Sequence, residues 1–209
     1  MASGIYSRSF SVGSKSIGRS ISRTGDNSKA WEISLAAAQA GSLTTRSTDT
    51  SGTITMTSGS HTITTAMVVD VYWAGGVQYG CTVGTVVGSD VPISGGSGDV
   101  LPIATTALTV CEQVTAKMAI DGDNIQMIGV ESFDSDASSI TDAAHIQFRD
   151  SASAEIAEID LVANAMQIWD IAGGDSNIFT GNDIATAKLS NGGTTAKTIK
   201  VLSLEDSTA

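Results

Sequence analysis

His61-Thr-Ile-Thr-Thr-Ala-Met-Val-Val-Asp-Val-Tyr-Trp-Ala-Gly-Gly-Val-Gln-Tyr-Gly-Cys-Thr-Val83 decides the fold class. Val69, Val71 and Trp73 alternate with polar or smaller neighbours, and Tyr79, Cys81 and Val83 do the same after the turn Ala74-Gly75-Gly76. A period of two on both sides of a glycine turn specifies a β-hairpin. The stretch carries no group that could run a reaction. Outward from it the same texture persists, with short alternating runs, glycine joints and abundant hydroxyl side chains.

Ser and Thr supply 52 of the 209 residues and Gly another 22, and hydrophobic residues make up 41%. That apolar fraction is enough for a buried core at this length. Thr, Val and Ile suit a pleated, half-buried surface, and Gly supplies the positive φ of tight turns, so the expectation is an all-β fold with little helix. Both prolines fall in Val91-Pro-Ile-Ser-Gly-Gly-Ser-Gly-Asp-Val-Leu-Pro102. That segment reads as a loop rather than a central strand, with Val91-Pro-Ile adding a short piece to the neighbouring sheet.

The chain divides by composition. Residues 1–41 hold three strand-like runs: 5–12, 16–23 and Trp31-Glu-Ile-Ser-Leu35, the last after the turn Thr24-Gly-Asp-Asn-Ser28. The run Ala36-Ala-Ala-Gln-Ala-Gly41 could form one helical turn, too short to stand alone. Residues 42–112 read as a small β-barrel, with glycine or proline at nearly every joint. From Gln113 onward seven further strands are expected, around 114–120, 125–131, 144–149, 155–161, 165–169, 184–189 and 198–204. Asn191-Gly192 between the last two is a hairpin signal. Seven strands need a partner layer. The reading is therefore a jelly-roll-like β-sandwich built from residues 1–41 and 113–209, with the barrel of 42–112 inserted.

Charge narrows the functions. The formal net charge is −11, which argues against general nucleic-acid binding, since that requires a basic surface to displace counterions. Residues 1–25 hold Arg8, Lys15, Arg19 and Arg23 with no carboxylate, whereas residues 121–160 hold ten carboxylates against Arg149 alone. A basic arm meeting an acidic body, within a subunit or between subunits, is one reading; two solvated faces is the other. Residues 1–25 are likewise open as an arm or as ordinary strands. No apolar segment has the character of a secretory leader or a membrane span, so a soluble chain made in a cytoplasm is expected.

No site is assigned: catalytic, cofactor-binding and metal-ligating residues are each expected to be none. His61 and His145 stand far apart with no partner pattern and read as surface or capping residues. Cys81 and Cys111 read as buried free thiols. Asp121-Gly-Asp-Asn124 starts like a calcium loop, but Gln126 and Ser132 stand where that loop needs Gly and Glu. Asp134 and Asp136 read as a polar turn, and Gly95-Gly-Ser-Gly98 is followed by no lysine. Trp31, Trp73 and Trp169 read as core anchors ahead of sugar-stacking platforms.

Two stretches carry a resemblance. Thr53-Ile-Thr-Met-Thr-Ser-Gly-Ser-His-Thr-Ile-Thr64 with Val69-Asp-Val-Tyr-Trp-Ala-Gly-Gly-Val-Gln-Tyr-Gly80 resembles structural proteins of tailed bacteriophages and prophages. The run from Thr180-Gly-Asn-Asp-Ile to Thr-Ile-Lys-Val-Leu202 is similar to closing strands of phage virion β-sandwiches. The resemblance implies a non-enzymatic virion subunit, either a capsid decoration or cement protein or a tail component. It would be homo-oligomeric and partnered by other virion proteins. A receptor- or carbohydrate-binding adhesion module is the alternative.

Overall fold

Strand follows strand through the chain, as its alternating β-branched residues dictate. The computed structural model describes residues 2–12, 15–25, 27–134, 143–162, 166–169, 171, 174, 178–179 and 182–206, and no α-helix occurs among them. The N-terminal part forms β1 (Ala2–Val12), β2 (Lys15–Gly25) and β3 (Asn27–Leu35). Next come β4 (Gln39–Thr48), β5 (Ser51–Met56), β6 (Val68–Trp73), β7 (Gly76–Val83), β8 (Asp90–Ser94), β9 (Ser97–Gly98) and β10 (Ala107–Glu112). The C-terminal strands are β11 (Val114–Ile120), β12 (Ile125–Asp134), β13 (Ala143–Arg149), β14 (Glu155–Val162), β15 (Met166–Trp169), β16 (Ile184–Asn191) and β17 (Lys197–Glu205).

One sheet closes on itself. The pairings β6-β10-β4-β5-β8-β7 return from β7 to β6, giving a six-stranded barrel with β9 laid along β7. Closure leaves no free edge among these six strands. Its interior follows the period of two: Ile54 and Met56, Val69 and Val71, Val91 and Ile93, Leu108 and Val110 all point into one buried cluster. Ile63 and Leu101, from segments between strands, complete it.

Two four-stranded sheets hold the remaining core, ordered β11-β16-β13-β14 and β15-β12-β17-β3. Both line a second buried cluster, with Ile146, Phe148, Ile159 and Leu189 from the first and Ile128, Val130, Ile199 and Val201 from the second. Phe179 lies fully buried within it, edge-on to Phe148 at 5.3 Å and to Trp169 at 6.2 Å between ring centroids. Lys29 of β3 donates to Glu205 of β17 at 2.8 Å, fastening the ends of these paired strands.

Several local expectations change. Of the three N-terminal strands only β3 joins a C-terminal strand, β17; β1 and β2 pair with each other in a separate two-stranded sheet. Residues 36–38 form no helical turn, and Gln39 already opens the barrel strand β4. Pro92 lies inside β8, between β5 and β7. Its carbonyl accepts from Gly84, just past the end of β7, so the side on which proline lacks an N–H faces no strand bond. Asn191-Gly192 does not turn a hairpin, because β16 and β17 belong to different sheets. The Asn191 amide instead donates to the carbonyls of Ala36 and Thr195, and Gly192 lets the backbone pass under the Tyr72 ring, where an added Cβ would sit 3.1 Å from ring carbons.

Candidate functional site

A bulge starts the site. Val69 pairs with Cys81 and Val71 with Gln78, so Asp70 alone faces the two residues Tyr79 and Gly80. Gly80 takes φ +69°, the left-handed conformation such a bulge requires. The extra residue breaks the expected alternation: Cys81 and Val83 point into the barrel, but Tyr79 leaves that face. Its ring lies flat on His145 of β13, with centroids 4.0 Å apart and planes 14° from parallel. Gly80→Ala is therefore expected to cost about 1–2 kcal/mol from backbone strain, since a Cβ there meets nothing nearer than Gln113 at 4.0 Å. Chemical denaturation of the variant checks this.

The barrel thus seats on the polar face of the β11-β16-β13-β14 sheet. Ala144, Ile146 and Phe148 turn inward to the core, so the intervening His145, Gln147 and Arg149 face the other way. Antiparallel register brings Asp160 of β14 and Ser190 of β16 opposite His145. The Tyr72 hydroxyl and Ser190 hydroxyl lie 2.8 Å apart, a second tie between barrel and sheet.

Asp70 is fully buried in this junction. Its Oδ1 accepts from the Gly80 amide at 2.6 Å and from Gln113 Nε2 at 3.0 Å. Oδ2 is buried with no hydrogen-bond partner of normal geometry among the described residues. Burial raises the carboxyl above its ordinary range, with the Ser190 hydroxyl, the Gly80 amide and His145 pulling the other way. Burial likewise raises the Tyr72 and Tyr79 phenols, and it lowers Lys188 on the same sheet face. Cys81 and Cys111 are both free, and burial pushes each thiol up to about 12. They are inert at neutral pH.

His145, whose side chain is 3% exposed, meets two carboxylates at the surface. Nδ1 lies 2.9 Å from Asp160 Oδ1 and 3.7 Å from Glu158 Oε1, while Nε2 is buried with no hydrogen-bond partner among the described residues. The hydrogen bond from His145 holds Asp160 below the usual carboxylate range. One imidazole and two carboxylates within 4.8 Å of one another form a donor set able to hold a divalent cation.

Comparison with protein-family models, with curated proteins and with solved structures returned no match.

The other residues singled out in the sequence stand apart from this junction. His61 Nε2 lies 3.1 Å from the Gly88 carbonyl, tying two barrel loops. Asp121 takes an amide hydrogen bond from Asp123 and a side-chain one from Asn124, so its oxygens serve a turn. Gly95, Gly96 and Gly98 all adopt positive φ on the way to β9. Trp31 and Trp169 flank the two-sheet core and Trp73 the barrel core, each only partly buried. Asp136 falls outside the described residues. Sequence reading missed Asp70, Asp160 and Glu158 as partners of His145. The alternation of polar His145, Gln147 and Arg149 against Ile146 and Phe148 is that of a strand with one solvated face, so it gave no sign that His145 and Gln147 are buried as well.

Proposed function

We propose that this chain is a non-enzymatic assembly subunit, a structural protein of a tailed-bacteriophage virion. It serves as a capsid decoration or cement protein or as a tail component, in contact with copies of itself and with other virion proteins. We also read the two four-stranded sheets, built from β3 and the strands after residue 113, as the layers of a jelly-roll-like sandwich, with the barrel as an insertion.

The observation that carries this reading is the β1–β2 ribbon. Its strands of eleven residues each pair with one another and with no other strand among the described residues. A two-stranded ribbon is marginal in water unless a further strand or surface covers it. The register sets Arg8 opposite Arg19 and Phe10 opposite Ile17. With Arg8, Lys15, Arg19 and Arg23 and no carboxylate, residues 1–25 suit a carboxylate-rich partner. A second copy of a chain with net charge −11 is such a partner. The double variant Arg8→Glu with Arg19→Glu is expected to shift the assembled protein toward monomer in sedimentation velocity, with unchanged far-ultraviolet circular dichroism. Identical sedimentation of variant and parent would argue against the ribbon as the assembly arm.

One observation favours the alternative, a receptor- or carbohydrate-binding module. A groove lined by Tyr72, Trp73, Ala74 and Leu108 leaves the Trp73 ring partly exposed on the barrel. Glycan binding abolished by Trp73→Ala would support that reading over the first.

A further inference from the structure

We propose that His145, Glu158 and Asp160 form a divalent-cation site, and that zinc is the ion it fits best. The site is independent of the assembly role proposed above and rests on geometry alone.

The pleat places the three donors. Asp160 is the direct cross-strand partner of His145, and Glu158, two residues earlier on β14, shares its face. Around tetrahedral zinc with bonds of about 2.0–2.1 Å, neighbouring ligand atoms stand roughly 3.3–3.4 Å apart. The distances here, 2.9 Å from His145 Nδ1 to Asp160 Oδ1 and 3.7 Å to Glu158 Oε1, bracket that value. The three donor atoms all lie within 4.8 Å of one another, and rotation of the two surface carboxylates closes the remaining distance.

The three donors also differ usefully in freedom. The imidazole is enclosed and clamped flat beneath Tyr79, so its ring plane is set before an ion arrives. Glu158 and Asp160 side chains are 41% and 62% exposed, which leaves a path for the ion and room for water as a fourth ligand. One nitrogen and two carboxylates suit zinc or a similar first-row ion; calcium and magnesium prefer all-oxygen shells. Two ionised carboxylates also balance the charge of a divalent ion.

Binding replaces the hydrogen bond between Nδ1 and Asp160 with a bond to the metal, so the ring hydrogen resides on Nε2. That nitrogen is buried without a hydrogen-bond partner among the described residues. Metal-bound histidines ordinarily donate their second N–H, and losing that support lowers affinity about 10–100-fold. Zinc is therefore expected to bind more weakly here than at a site whose histidine has that support. The ligands belong to β13 and β14 and Tyr79 to the barrel, so bound zinc also steadies the seat of the barrel on the sheet.

Isothermal titration of the full chain with zinc chloride tests the site, beside magnesium chloride and two surface variants, Glu158→Gln and Asp160→Asn. The expected result is one zinc per chain, no heat with magnesium, and at least a tenfold loss of affinity in each variant with circular dichroism unchanged. Side-chain nitrogen resonances of His145 should show Nδ1 as the metallated atom. No uptake at one equivalent of zinc would overturn the proposal. Uptake that both variants leave intact would overturn it as well, by placing the ion elsewhere.

Discussion

Phe148→Ala is expected to destabilise the protein by about 3–5 kcal/mol, the usual cost of emptying a phenylalanine site in a packed core. Phe148 has no solvent exposure and meets Phe179 edge-on, and Phe179 in turn meets Trp169. Removing the first ring opens a cavity and takes away one member of an aromatic chain that spans both four-stranded sheets. In a protein of this length each kcal/mol moves the midpoint by about 2–4 °C, so thermal unfolding should fall by about 6–20 °C. Tryptophan fluorescence locates the damage, because Trp31 and Trp169 pack on this core and Trp73 on the barrel. A midpoint within a degree or two of the parent would mean that the two sheets do not enclose Phe148 as described.

Asp70→Asn is expected to act in the opposite direction, stabilising the protein at pH 7 by about 1–2 kcal/mol through relief of a buried, incompletely paired charge. Asn keeps the carbonyl oxygen that accepts from Gly80 and Gln113, and its amide can donate to the Ser190 hydroxyl. The parent's folded-state pKa at Asp70 is raised, so the folded protein takes up this proton before the unfolded chain does. Stability linked to Asp70 is complete below the unfolded carboxyl pKa of about 3.9 and is lost as pH rises through the raised value. The advantage of the variant should therefore shrink steadily as pH falls from 7 toward 4. Asp160 has the opposite sign: its depressed pKa gives stability above about 3.9 that is lost on further acidification. Groups facing Asp70 include His145, Tyr72, Tyr79, Cys81, Cys111 and Lys188, all common to parent and variant. Denaturation of both proteins across pH 4–7 isolates the Asp70 contribution. An advantage that stays constant with pH would rule out the buried charge as its cause.

Period-two alternation made the strands legible from Gln113 onward, where all seven expected runs are strands β11 to β17, and it made the barrel legible through Val69, Val71, Cys81 and Val83. Pairing was less legible. A glycine pair after asparagine promises a hairpin locally, yet Asn191 and Gly192 cross between sheets because the Tyr72 ring needs a neighbour without a side chain. The phase of Tyr79 was hidden for a related reason, since a bulge depends on the partner strand and leaves only one glycine in the sequence. The junction was the least legible part. His145 and Asp160 are fifteen residues apart and Asp70 lies on another sheet, so only the folded register brings them together.

Self-assembly of this chain can be read from the absolute mass of the purified full chain by light scattering, with negative-stain images of the same fractions. Discrete oligomers are expected, with trimers pointing to capsid decoration and stacked rings to the tail. A strictly monomeric protein at every concentration would rule self-assembly out.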